Sequence, residues 1–173
     1  MSGDKGKRFW YAMYTKPRSE FAAAREIASE GVEYYLPTVE VIRQWSDRKK
    51  KIIEPLFRSY IFVLCNEKER MLIVQKKSIV KTVSFLGRPS VIPDWEIESL
   101  KKTLERTKEF ELSDKPKVGS RVKVVDGPFK GVIGTVFEGE NNERYLAVTI
   151  ELLKRSVVVR LPAENVVEIK EEE

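Results

Sequence analysis

The chain contains no histidine and a single cysteine, Cys65. The missing imidazole removes the Ser-His-Asp and Cys-His nucleophile arrangements. Together the two shortages remove zinc sites built from Cys and His clusters, and one thiol forms no intramolecular disulfide. No GxxxxGK(S/T) phosphate cradle and no GxGxxG dinucleotide turn occurs in the 173 residues. Long apolar runs are also missing, so no segment is expected to cross a membrane, and the opening MSGDKGKRFW lacks the apolar centre of a secretory signal. The expected location is the cytoplasm. Carboxylates are plentiful, but the 27 Asp and Glu are scattered among 32 Lys and Arg as on a solvated surface, with no spacing that marks a catalytic pair. These exclusions point to a binding protein and not an enzyme, with no metal or cofactor expected.

What is present is enough apolar material, 42%, for one ordinary domain or two small ones, and a net charge of +5. A moderate basic bias of this kind suits contact with nucleic acid or with an acidic partner.

The aromatic run Phe9 to Tyr14 has strong β propensity. Thr15-Lys16-Pro17-Arg18-Ser19 breaks it, and Ser19 is placed to cap a helix from Glu20 to Ser29 whose Phe21, Ala24, Ile27 and Ala28 share an apolar face; Gly31 ends it. Residues 32–42 read as extended, with Pro37 as a break, and RQWSDRKKK at 43–51 reads as a charged loop between strands. Ile52 to Leu64 resumes the β pattern, and SYIFVL suits a strand buried on both faces. Glu67 to Gln75 is helical in composition, with Met71, Leu72 and Val74 as core contacts, and a further strand over 79–86 closes at Gly87-Arg88-Pro89. Asp94 is expected to cap a helix to Lys108 that presents Ile97, Leu100 and Leu104 on one face. The expected organisation is an α+β domain over 8–108 with a mainly antiparallel sheet flanked by helices, a linker over 109–117 and a small curved β-barrel over 118–170. The barrel strands are RVKVV, GVIGTVFE, RYLAVTIEL, SVVVRL and VVEIK, with GENNE as a hairpin turn and the final EEE as a solvated tail.

The stretch VGSRVKVVDGPFKGVIGTV, 118–136, carries Gly127 where a turn needs a conformation other residues resist, Pro128 to fix the next dihedral, and Gly131 and Gly134 where the chain bends. As a whole string it resembles the KOW motif in the version carried by the NusG family. WYAMYT with Glu20, EPLF at 54–57 and YIFV at 60–63 resemble that family's N-terminal domain, called NGN, so the resemblance runs from about residue 8 to 170. Housekeeping members generally carry Phe-Pro-Gly-Tyr where this chain has Phe57-Arg58-Ser59-Tyr60. This departure, with the SDRKKK run, is closer to specialised paralogues of the RfaH and UpxY type.

The resemblance implies an NGN-like fold followed by an SH3-like KOW barrel, and a factor that binds the clamp helices of RNA polymerase and suppresses pausing or termination on particular operons. By matching motifs, Tyr14, Phe57 and Phe62 fall at polymerase-binding positions, with Tyr14 and Phe57 favoured because they lie near strand ends; Phe62 reads equally well as core. Lys16 and Arg18 fall where the nontemplate DNA strand is touched, and Arg48, Lys49 and Lys50, with Arg43 and Lys51, form a second basic group that either meets DNA phosphates or is a solvated loop. Trp45 beside them either stacks a base or covers a sheet edge. Leu153 and Arg155 take the places of a Phe-Gly-Arg segment that meets ribosomal protein S10, and the replaced aromatic and glycine put contact with S10 or Rho in question. The glycines and β-branched residues of the C-terminal region oppose a switch to helix. A monomer is expected. Two alternatives stand beside this reading: a general housekeeping elongation factor, and a KOW-type ribosome or RNA-binding module without polymerase contact.

Overall fold

In the computed structural model, which describes residues 6–161 and 166–169, the aromatic run forms β1, Phe9–Thr15, and the SYIFVL segment forms β5, Tyr60–Cys65. The two pair antiparallel with Tyr11 opposite Val63 and Met13 opposite Ile61, which sets these four side chains on one face of the sheet. That face meets helix α1, Glu20–Ser29, and helix α2, Glu67–Val74, in a core containing Ala23, Ala24, Ile27, Cys65, Ile73 and Ile79. The opposite face carries Trp10, Ala12 and Phe62, all buried, so β1 and β5 are covered on both sides as the continuous apolar run requires. Strands β2, Glu33–Tyr35, and β6, Ile79–Thr82, complete a four-stranded sheet in the order β2-β5-β1-β6.

Two hairpins lie outside that sheet: β3, Thr38–Gln44, with β4, Lys49–Pro55, and the short pair β7, Ser84–Phe85, with β8, Arg88–Pro89. Helix α3, Asp94–Arg106, precedes a six-stranded antiparallel sheet ordered β14-β10-β11-β12-β13-β9. Its strands are β9, Glu111–Ser113, β10, Ser120–Val124, β11, Ile133–Glu138, β12, Arg144–Ile150, β13, Arg155–Arg160, and β14, Val166–Glu168, with a 3-10 turn at Glu151–Leu153. The chain divides into two compact units, Met1–Val91 and Ile92–Glu173. The second unit therefore begins before α3, where the sequence reading set the break after it. Within this unit, Ser99 Oγ accepts from the Ile133 amide at 3.0 Å, and Arg106 Nη1 donates to the Pro128 carbonyl at 2.7 Å.

Several local expectations are corrected. Residues 43–51 are not a loop: all but the four tip residues 45–48 continue β3 and β4, because the polar residues there pair in register, Arg43 with Lys50 and Gln44 with Lys49. Part of the expected linker, Glu111–Ser113, is the edge strand β9, whose Leu112 lies opposite Val157. Ser19 makes no capping bond to α1; its hydroxyl donates to the Pro17 carbonyl, and the Glu20 carboxylate accepts from the Ser59 amide at 2.9 Å instead. Pro93 takes the cap position of α3, so Asp94 is its first helical residue, where a carboxylate still favours the positive end of the helix. On α1 the buried face contains Ala23 in place of Phe21 and Ala28, and on α2 it contains Ile73, while Met71 and Leu72 are exposed. The EEE tail lies outside the described residues.

Candidate functional site

The end of β1 is a turning point with a basic tip. Thr15 closes the strand by donating its amide to the Ser59 carbonyl at 2.8 Å, and the Lys16 amide reaches the Ser78 carbonyl at 2.9 Å. With both backbone groups fixed, Lys16, Pro17 and Arg18 project outward and are exposed, and Arg18 holds φ 59 in the left-handed region. Tyr14, half-buried at the base of this tip, meets Tyr60 edge to face with ring centroids 5.6 Å apart. The structure thus joins Tyr14, Lys16 and Arg18 on one continuous stretch, with Tyr60 as an aromatic partner that motif matching did not select.

Phe57 differs from the expected surface anchor, and Phe62 takes the core position that its sequence reading also allowed. Phe62 is fully buried, and Phe57 is 5% exposed with its ring 6.0 Å from Phe62 in a T-shaped contact. Tyr35 stacks near the same Phe62 ring at 6.3 Å. Position near a strand end suggested access for Phe57, but the Leu56 amide donates to the Pro37 carbonyl at 2.8 Å, and Leu56 is itself buried. In this arrangement neither phenylalanine offers a ring to a partner.

The β3-β4 hairpin is an arm with two unlike faces. Val39, Val41 and Ile52 are half-buried on the face they share with Arg43, Lys50 and Glu54, where Arg43 is ion-paired to Glu54. Ile42 and Ile53, 65% and 57% exposed, lie on the other face with Lys49 and Lys51. At the tip, the Trp45 amide donates to the Arg48 carbonyl at 2.8 Å, which turns the chain; Lys50 Nζ lies 5.4 Å above the Trp45 ring. Trp45 is half-exposed, and Arg48, Lys49 and Lys50 are all exposed. An arm of this kind presents positive charge and one flat aromatic surface without any acidic residue among its tip cations except Asp47.

In the second unit, Gly127 and Gly131 hold φ 90 and φ 91, which a side chain would strain, and they frame the turn between β10 and β11. The Gly131 amide donates to the Val124 carbonyl at 2.8 Å, while Pro128 lies at the exposed crest. Leu153 is buried in the 3-10 turn and Arg155 begins β13 in the open, donating to the Leu153 carbonyl at 3.3 Å. Between them Lys154 holds φ 52, so the left-handed conformation is kept where the matching motif carries glycine. The sequence reading missed Glu96, Ser99 and Thr103 of α3, three polar residues that are buried. Burial of Glu96 pushes its carboxyl up to about 7.

Residues 8–101 match the family described as "NusG: Transcription termination factor nusG". The Rickettsia conorii protein named "Transcription termination/antitermination protein NusG" is 26% identical over 173 residues, spanning 92% of this chain and 90% of its own length. The protein of that name from Vibrio vulnificus is 27% identical over 174 residues, spanning 90% and 92%. A solved structure described as "Domain interaction in Thermotoga maritima NusG" covers 95% of this chain and 98% of its own at 25% identity, with a TM-score of 0.48. The family match takes in more than half of the residues and includes β1, the basic tip and the whole β3-β4 arm. The chain therefore belongs to the NusG family of transcription termination and antitermination factors.

Proposed function

We propose that this protein is an operon-specific antitermination and elongation factor of the cytoplasm that binds the clamp helices of RNA polymerase as a monomer and suppresses pausing or termination. The observation that carries the reading is the exposed basic arm, with Arg48, Lys49, Lys50 and Trp45 at one tip, in the same unit as the Lys16 and Arg18 turn. Two basic projections of this type suit the displaced nontemplate strand: lysines attract phosphates without reading sequence, and Trp45 or Arg18 supplies a planar surface for an unpaired base. Tyr14 with Tyr60 serves as the accessible aromatic contact to the clamp. Phe57 and Phe62 contribute by supporting that surface from below. A factor that binds the closed clamp more tightly than the open one shifts the polymerase toward processive elongation. Contact with ribosomal protein S10 or Rho is weak in this protein, since Leu153 is buried and only Arg155 of the matching positions is open. The buried carboxyl of Glu96 lies apart from these surfaces and belongs to no catalytic constellation in this reading.

The test is in vitro transcription with the cognate bacterial polymerase, on templates with and without the native operon leader. The wild type is expected to raise readthrough only with the leader. Tyr14→Ala is expected to lose the effect, and alanine at Arg48, Lys49 and Lys50 together to weaken it and flatten its dependence on salt. Equal readthrough on every template would replace the operon-specific reading with a general elongation factor. No binding to polymerase and no effect on elongation would remove the clamp contact altogether.

A further inference from the structure

Helix α3 does not lie flush on the six-stranded sheet along its whole length. Toward its N-terminal turn the helix, the 114–117 segment and strands β11 to β13 enclose a cavity of about 340 Å³. That size is near the lower end of the ~300–1,000 Å³ usual for small-molecule sites, so it admits one compact ligand. Thr135, Thr149 and Ser156 line it with hydroxyls, and the last two are bonded to each other at 2.7 Å. Trp95 forms an aromatic wall, with the Arg121 guanidinium 5.0 Å above its ring. The Glu96 carboxyl also lines the cavity although its residue is 5% exposed. Among the described residues its hydrogen bond comes from the Glu151 amide to Oε2 at 3.4 Å, a long contact that leaves Oε1 without a bonded partner there.

The charges around the mouth are mixed but mainly positive. Lys115, Lys117, Arg121 and Lys154 line it together with Asp114 and Glu151, and Lys154 is paired to Glu151. A buried carboxyl with spare acceptor capacity, a planar wall, hydroxyls and several cations within one small volume specify a ligand with adjacent N–H donors, a flat ring and an anionic group. We propose that this cavity binds a guanine nucleotide, with the base edge donating to Glu96 beside Trp95 and the phosphate toward the lysines. Guanine places two N–H donors side by side on one edge, which an ionised carboxylate accepts in parallel; adenine has no such pair. Stacking beside Trp95 and Arg121 holds the ring, and the cations add a salt-sensitive attraction for phosphate. The same chemistry is available from a free nucleotide or from a guanosine in a short single strand.

The test is amide NMR of the full chain titrated with GMP, AMP, inorganic phosphate and a single-stranded oligonucleotide containing one guanosine. GMP is expected to give saturable shifts at Thr149, Glu151 and Ser156, with AMP and phosphate weaker by about tenfold or more. Affinity for GMP is expected to rise as pH passes upward through neutrality, because ionised Glu96 is the acceptor. Asp114, Glu151 and the four cations that face it are not expected to reverse that direction. Glu96→Gln is expected to weaken GMP by about tenfold and to remove the pH dependence, while Trp95→Ala weakens it at every pH. The Ile133 amide, bonded to Ser99, reports whether α3 is still seated in each variant. Saturation by the oligonucleotide with GMP silent would assign the site to a strand as the nucleotide's source and support the chemistry. Equal shifts from GMP, AMP and phosphate would overturn the proposal in favour of a general anion site. Absence of saturable shifts with any probe would overturn it outright.

Discussion

At the scale of single residues, the end of β1 carries an unpaired hydroxyl. Among the described residues, Thr15 Oγ1 is buried and has no hydrogen-bond partner. A buried polar atom left unsatisfied costs about 1–3 kcal/mol, and valine has nearly the same shape without that atom. Thr15→Val is therefore expected to raise unfolding stability by about 1 kcal/mol in urea titration, with the Thr15 amide still bound to Ser59. Cys65 is the opposite case. Burial lifts its thiol to about 12, so it stays neutral and packs as a small apolar group. Its place in the core was not read from the sequence, where the strand was expected to stop at Leu64, and the burial of Phe57 was not legible either. Nothing in EPLF indicates that the Leu56 amide is tied to Pro37 and draws its neighbour inward. Ser59 at φ 68 and Lys154 at φ 52 show a related limit, since both occupy a glycine-favoured conformation that their own identities conceal. The resemblance, which aligned each with a family glycine, carried information that propensity did not.

At the scale of elements, the signals that succeeded were continuous runs and periodic faces, and those that failed depended on partners distant in sequence. The bounds Glu20–Ser29 of α1 agree with the spacing of its apolar residues, although Ser19 holds its start only through its carbonyl, which accepts the Ala23 amide, while the side-chain bond there is Glu20 to the Ser59 amide. Helix α2 has the local device that α1 lacks. Asn66 Oδ1 accepts from the Glu69 amide at 2.9 Å, and the Glu69 carboxylate accepts from the Asn66 amide at 3.2 Å, a reciprocal cap readable as Asn-x-x-Glu. Asn66→Ala is expected to cost about 1 kcal/mol of stability, measured by urea unfolding, and to raise amide exchange in the first turn of α2 before it affects the sheet. The full length of the β3-β4 arm was illegible for a different reason. An exposed two-stranded ribbon has little core to advertise, so Arg43 and Lys49 to Lys51 resembled loop residues although they pair in an unbroken register. The same charges mark the arm as a candidate nucleic-acid contact.

At the scale of the molecule, the chain consists of a NusG-like α+β unit and a C-terminal all-β sheet with α3 seated on it. None of its helices, among the described residues, is long and apolar enough to cross a membrane. The polar residues of α3 explain why its allegiance was hidden: Ile97 and Leu100 gave the expected apolar stripe, but Ser99, Glu96 and Arg106 make the recognisable contacts to β11, the 3-10 turn and the β10-β11 turn within the same unit. Glu96 also makes that seating sensitive to pH. Burial raises its seated value to about 7, from 4.5 for an ordinary glutamate, and the nearby Glu151 charge pushes the same way against its own amide bond and Arg121. The seated state thus favours the protonated form. Its stability is highest below the ordinary value and falls as pH rises toward and through about 7. Across that window the loss is at most about 3 kcal/mol before solvent in the cavity screens it. Hydrogen exchange at the Ile133 amide is expected to quicken from pH 5 to pH 8, beyond the intrinsic pH effect, and Glu96→Gln is expected to remove the difference.

The edge strand β9 has a mechanical consequence. Only residues 107–110 separate the end of α3 at Arg106 from Glu111, the start of β9, which is stitched to β13. Five backbone steps reach about 17 Å when fully extended, so an unseated α3 remains on a short leash. Its return to the sheet is then an intramolecular event at an effective concentration on the order of millimolar, independent of how much protein is present. Any outside molecule that takes the uncovered strand face must compete with that local concentration, and dilution alone will not help it.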